Sequence, residues 1–87
     1  MSPTTLLTAP VVLRPATADD QPRLLRLAAL DSRPAPRRPM VVAEVDGALL
    51  AAVPADGVGP AVSDPFVPTA ELVAILRTFA RRGARTA

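Results

Sequence analysis

Cysteine, histidine, lysine, tyrosine and tryptophan are all missing from this chain. Without cysteine there is no disulfide, no thiolate nucleophile and no thiolate metal site. Without histidine the usual neutral-pH base and the commonest metal ligand are gone. Ser32, Ser63 and the threonines therefore have no histidine or lysine to activate them. Phe66 and Phe79 are the only aromatics, so the core has to come from Val, Leu, Ile and Ala. No segment reaches the roughly 18 to 20 apolar residues that span a bilayer. The opening MSPTTLLTAPVVLRP has no basic start and is broken by Pro10 and Pro15, so it does not read as a signal peptide. A cytoplasmic location without membrane association is the default expectation.

The 87 residues present are enough for one small domain with a thin core, which self-association would help to stabilise. All ten basic residues are arginine, set against eight acids for a net charge of +2. The high pI follows from the pKa of arginine and is not a nucleic-acid signature. Arg33, Arg37, Arg38, Arg81, Arg82 and Arg85 are all that a basic nucleic-acid accessory role would rest on. Both phenylalanines have apolar neighbours and read as core, not as platforms for stacked bases, so nucleic acid is not the expected partner. The acids are dispersed, with no EF-hand or carboxylate cluster, and no metal is expected.

The stretch that organises the chain is Met40 to Val53, MVVAEVDGALLAAV. Asp46-Gly47 between β-prone runs predicts a hairpin, since a type I′ turn needs positive φ at both central residues. A buried helical hairpin competes, but Gly47 and the valines argue against it. With the turn at Asp46-Gly47, Val45 faces Ala48, Glu44 faces Leu49, Ala43 faces Leu50 and Val41 faces Ala52. One face then carries Val41, Ala43, Val45, Ala48, Leu50 and Ala52, and the other Met40, Val42, Glu44, Leu49, Ala51 and Val53. Both are apolar apart from Glu44, so cover is expected on both sides of the sheet.

Around this hairpin, Met1–Ala9 reads as a loose tail and Pro10–Pro15 as a short strand whose prolines mark its ends or a sheet edge. A helix follows to Leu30, capped by Thr17 or Asp19. Pro22 is tolerated in its first turn, Leu24, Leu27 and Ala28 line its inner side, and Arg23 and Arg26 face water. Asp31–Pro39 is an extended, proline-rich linker, long enough to return along the helix and set the first two strands antiparallel. Asp56-Gly57 marks a second turn, and Val58–Ser63 a third meander strand that Pro60 restricts to an edge or a bulge. Thr69–Arg82 is the clearest helix, with Leu72, Ile75, Leu76 and Phe79 at helical spacing and Gly83 as its stop. The expected fold class is α+β: order β-α-β-β-β-α, about four antiparallel strands and two helices, in one domain over residues 10–83 with a tail at 84–87.

That order, with LRPATADD (Leu13–Asp20) before a leucine-rich helix and VVAEVDGALLAAV (Val41–Val53) around the turn, resembles the N-terminal half of the GNAT acetyltransferase superfamily. The resemblance runs from about Val11 to Arg82 and implies the fold. In that family a glycine-bearing loop after the fourth strand leads into a helix whose free N–H groups hold the pyrophosphate of acetyl-CoA. Here the corresponding stretch is DPFVPTAELVAIL, Asp64–Leu76. It contains no glycine, Pro68 removes a donor and Glu71 adds negative charge. Arg81-Arg82-Gly83-Ala84-Arg85 has similar text but ends a helix. The family's later strands do not follow. The resemblance therefore implies a truncated, cofactor-less relative.

Glu44 is the one acid inside a strand. A raised-pKa base under a pocket is one reading, and a strand-end carboxylate meeting water or Arg14 is the plainer and preferred one. Asp64 reads as a turn residue. No catalytic, cofactor-binding or metal residue is assigned. The leading expectation is a non-catalytic GNAT-like domain that binds a protein partner or forms a homodimer, by the strand edge at Val58–Ser63 or by a surface the missing half would have covered. The alternatives are a small acyl-CoA-dependent N-acetyltransferase with an altered or partner-completed site, and a basic nucleic-acid accessory protein.

Overall fold

The computed structural model describes residues 10–36 and 39–85. Met1–Ala9, expected to be a tail, and Arg37 and Arg38 of the expected basic patch lie outside the described residues. The chain runs as β1 (Val11–Pro15), α1 (Gln21–Leu30), β2 (Met40–Val45), β3 (Ala48–Pro54), β4 (Val62–Ser63) and α2 (Ala70–Arg85), with a 3-10 turn at Ala18–Asp20 leading into α1. The strands form one antiparallel sheet in the order β1-β2-β3-β4. This is the expected α+β order.

The central turn forms where the sequence places it. Asp46 and Gly47 have φ of 51° and 80°, the two positive angles a type I′ turn requires. Val45 pairs with Ala48 and Glu44 with Leu49, as expected, but Ala43 pairs with Ala51 and Val41 with Val53. Leu50 is an extra residue, a β-bulge that shifts the rest of β3 by one place. Its carbonyl faces β4 and accepts the N–H of Asp64 at 2.9 Å, one residue beyond the Ala51–Ser63 pair. Beyond the bulge the expected faces are exchanged: Ala51 and Val53 lie with Val41 and Ala43, and Ala52 lies with Met40 and Val42. A one-residue slip normally turns a polar set inward. Here either set is apolar, so the sequence pattern carries no signal against it.

The expected cover is present on both sides. Leu24, Leu27 and Ala28 of α1 pack with Met40, Val42, Leu49, Ala52 and Val62 on one face. Leu76 and Ala80 of α2 pack with Val41, Ala43, Ala51 and Val53 on the other, flanked by Leu13, Leu72 and Val73. Alanines on both sides of this second contact bring helix and sheet close. Ala43 and Ala51 are fully buried. The stripe expected on α2 is therefore rotated. Leu76 is fully buried, but Ile75 is 55% exposed and Phe79 37%, because small Ala80 seats the helix on the alanine floor. Phe66, expected in the core, is 81% exposed in the loop before α2.

The element ends follow local chemistry. The amide of Ala16 donates to the carbonyl of Met40 at 2.8 Å, which by strand alternation points the N positions of Val12 and Arg14 inward and those of Val11, Leu13 and Pro15 outward. Pro15 thus sits on the free edge, where its missing N–H breaks no ladder bond. At the end of α1, Ser32 adopts φ 54° while its N–H reaches Ala29 O at 3.2 Å and that of Arg33 reaches Ala28 O at 2.8 Å, the Schellman pattern. The third meander strand is shorter than expected, with only Val62–Ser63 in the ladder. Pro60 and the positive φ of Gly57 and Gly59 keep Val58–Ala61 out of it. Gly83 does not stop α2, which continues to Arg85, into the stretch expected to be a tail. Gly83 has no positive φ, and a glycine inside a helix costs only about 1 kcal/mol.

Candidate functional site

Four charged side chains meet where β1, the entry to α1 and the tip of the hairpin come together. Asp20 is the hub, with a side chain only 1% exposed. Arg14 forks onto it, Nη1 to Oδ2 at 2.7 Å and Nη2 to Oδ1 at 2.9 Å. The backbone N–H of Thr17 donates to Oδ2 at 2.7 Å, and Arg23 Nη2 donates to Oδ1 at 2.7 Å. Glu44 closes the group: its Oε1 accepts Arg14 Nε at 3.2 Å and Nη2 at 3.0 Å, and its Oε2 lies 3.7 Å from Arg23 Nη1. Arg23 also donates to the carbonyl of Gly47 at 2.9 Å, tying α1 to the β-turn.

These bonds set the protonation of the hub. Arg14 above all, then the Thr17 amide, hold the Asp20 carboxyl well below the usual carboxylate range against the opposing effect of burial, with Arg23 adding to the same side. Asp20 and then Glu44 push the already high pKa of Arg14 higher. Two cations and two anions balance, and among the described residues no buried side-chain nitrogen or oxygen lacks a hydrogen-bond partner. Such a closed set clamps local structure, and it holds the Asp20 carboxyl at its centre in the ionised form. The plainer reading of Glu44, a strand-end carboxylate meeting Arg14, is the arrangement seen. Arg23, expected to face water, is instead held by Asp20 and Gly47, and the burial of Asp20 was not foreseen. The TADD stretch carries a signal for it: an acid three residues after Thr17 is where a side chain reaches back to the cap amide.

Asp64 is a turn residue, its Oδ1 accepting the N–H of Phe66 at 2.8 Å. The following stretch enters α2 through Thr69, whose carbonyl takes the N–H of Val73 at 2.8 Å and which is 8% exposed. Pro68 contributes no N–H there, and exposed Glu71 stands in the first turn. Beside β4 a groove of ≈ 360 Å³ runs between the linker and the sheet, lined by Arg33, Pro34, Pro36, Met40, Pro54 and Pro60. Its one charged group, Arg33, has Nε 3.7 Å from the carboxylate of Asp31.

The two flanks of α2 differ. Arg77 Nη1 donates to the carbonyls of Gly57 at 3.2 Å and Gly59 at 2.9 Å, so this flank is locked to the β3–β4 loop. The loop comes so near that a Cβ on Gly57 would run into Arg81 Cγ and lie 3.0 Å from the carbonyl of Arg77. The opposite flank, toward β1, carries exposed Ile75 and Phe79. On the same side of the sheet Leu13 is half-buried and Val11 41% exposed.

Among the described residues no group of His, Cys, Asp and Glu side chains is placed to hold a metal ion, and no helix is long and apolar enough to cross a membrane. No family model, curated protein or solved structure matches the chain.

Proposed function

We propose that this chain is a non-catalytic domain, resembling the N-terminal half of the GNAT acetyltransferases, that acts by binding protein, foremost a second copy of itself, in the cytoplasm and without a cofactor. The observation that carries this reading is the free flank of α2, where Ile75 and Phe79 stand exposed side by side on an otherwise anchored helix. Large apolar side chains scattered singly over a surface need no explanation; these two adjoin one another on one flank of a helix, where a second copy could cover both. The binding reading also agrees with the site chemistry. Its buried acid is tied to two arginines, and the entry to α2 couples a proline at 68 with a carboxylate at 71.

Light scattering over a concentration series tests the association, and calorimetric titration with acetyl-CoA tests the absence of catalysis. The expected result is a dimer that takes up no acetyl-CoA. Saturable micromolar binding of acetyl-CoA would replace this reading with the acyltransferase one.

A further inference from the structure

We propose that two copies of this chain pair through the free flank of α2, with the two helices antiparallel. The inference rests on the self-association reading above and adds to it the surface, the orientation and the contacts.

At about 100° per residue, Glu71, Ile75, Phe79 and Arg82 fall on one stripe of α2. Ile75 and Phe79 are its middle, both exposed. Glu71 and Arg82 are its ends, both exposed. Neither forms an ion pair with another described residue. They are eleven positions apart, so about 16 Å of helix separates them and one helix cannot bring them together.

The stripe thus reads acid, apolar, apolar, base. Laid against itself antiparallel, it meets its own complement. A two-fold axis midway between Ile75 and Phe79 sets Ile75 beside Phe79 of the second copy. Glu71 then comes to lie beside Arg82 of that copy, and the reverse pair forms at the other end. An isologous contact requires this kind of self-complementarity, and two antiparallel helix dipoles add to it. An unrelated partner would have no reason to reproduce the same order. The opposite flank cannot serve, because Arg77 is bonded to the Gly57 and Gly59 carbonyls. The apolar surface also continues beyond the helix, through half-buried Leu72 to Leu13.

Sedimentation velocity on the whole chain and four variants tests this, with circular dichroism to confirm that each variant folds. The wild type is expected to dimerise, and Ile75→Glu to be a folded monomer at every concentration used. Glu71→Arg alone and Arg82→Glu alone each set like charges together twice per dimer and should weaken association roughly ten-fold. Combining the two should restore it, because the pairs re-form in trans with signs exchanged. All of these positions are exposed. If Ile75→Glu failed to fold, the charge exchange would still carry the test. A dimer that survives Ile75→Glu would overturn this surface and leave self-association standing. Single charge variants that weaken the dimer without rescue by the double exchange would overturn the antiparallel register. A wild type that stays monomeric throughout would remove both this inference and the homodimer reading.

Discussion

The two sides of the sheet are finished in different ways. On the α1 side, leucines cover the strands and the end of the layer is closed by Arg14, Asp20, Arg23 and Glu44, four charges satisfying one another. On the α2 side, alanines let the helix settle close, Arg77 fastens one flank, and the other flank keeps Ile75 and Phe79 at the surface. The first side is tied shut at its end by these charges, and its exposed apolar residues, Leu25 and Leu30 of α1 and Val12 of β1, are dispersed. The second has apolar area left over after all its own contacts are made. A chain with so few large side chains leaves some of them at the surface on both faces, but only on α2 do two stand one turn apart on the same flank. Where it economises, it uses alanine, and alanine under a helix leaves the neighbouring large residues uncovered.

The sharpest way to break this contrast is at the hub of the first side. Asp20→Ala should cost about 2–4 kcal/mol, read as a shift in the urea midpoint. It takes the buried partner from Arg14, Arg23 and the Thr17 amide together, and only the partial exposure of the two arginines softens the loss. The same carboxylate gives the first side a pH dependence. Its folded pKa lies below the unfolded value, which is about 3.9. Its stabilisation is therefore whole above about pH 4 and falls away as the pH drops from there through the folded value. Wild-type stability should decline in that acid range more steeply than that of Asp20→Asn, which has no proton to take up at this position.

Next in size is the close approach on the second side. Gly57→Ala should destabilise by about 1–3 kcal/mol, since φ is +79° and a left-handed angle alone costs about 1–2 kcal/mol for a residue with a Cβ. Crowding against Arg81 and the Arg77 carbonyl adds to it. Thermal unfolding compared with Gly47→Ala sharpens the point: both glycines have positive φ, but around Gly47 a Cβ would meet open space, so the difference between the two variants isolates the packing.

A smaller effect of opposite sign is expected at the end of α1. Ser32→Gly relieves the φ of 54° and should stabilise by up to about 1 kcal/mol in the same melt. The smallest is at the free flank. Ile75→Ser in dilute, monomeric chain should change stability by no more than about 0.5 kcal/mol, because the side chain is already 55% in water. A large loss there would mean that the second side needs its flank as much as the first side needs Asp20.

Several features were legible from residue order because they depend on nearest neighbours. Asp46-Gly47 announced its turn, and the spacing of Leu24, Leu27 and Ala28 announced the inner side of α1. The double apolar pattern of β2 and β3 announced cover on both faces. The errors share a cause. The bulge at Leu50 went unseen because MVVAEVDGALLAAV is apolar in either register. Ile75 and Phe79 share the helical spacing of Leu72 and Leu76, but the fit of Ala80 to Ala43 and Ala51 decides which side of α2 turns inward; Phe66 has apolar neighbours in sequence yet stands exposed in the loop before α2. Arg23 looks like a solvated residue because one partner, the Gly47 carbonyl, is 24 positions away, and the other, Asp20 three positions before it, is buried only once β1 and the hairpin close over it.

By itself, then, the order of residues determined the turns, the helical stripes, the β-α-β-β-β-α sequence of elements and the absence of cysteine and histidine chemistry. Each of these depends on backbone angles or side-chain types that a short segment carries with it. The tertiary structure decided the register beyond Leu50, the rotation of α2, the joining of Arg14 and Asp20 to Glu44 and the bareness of one helix flank. Each of these is a competition among similar apolar surfaces or among distant charges, and such a competition is settled only when the elements are brought together and the best-fitting contact excludes the rest.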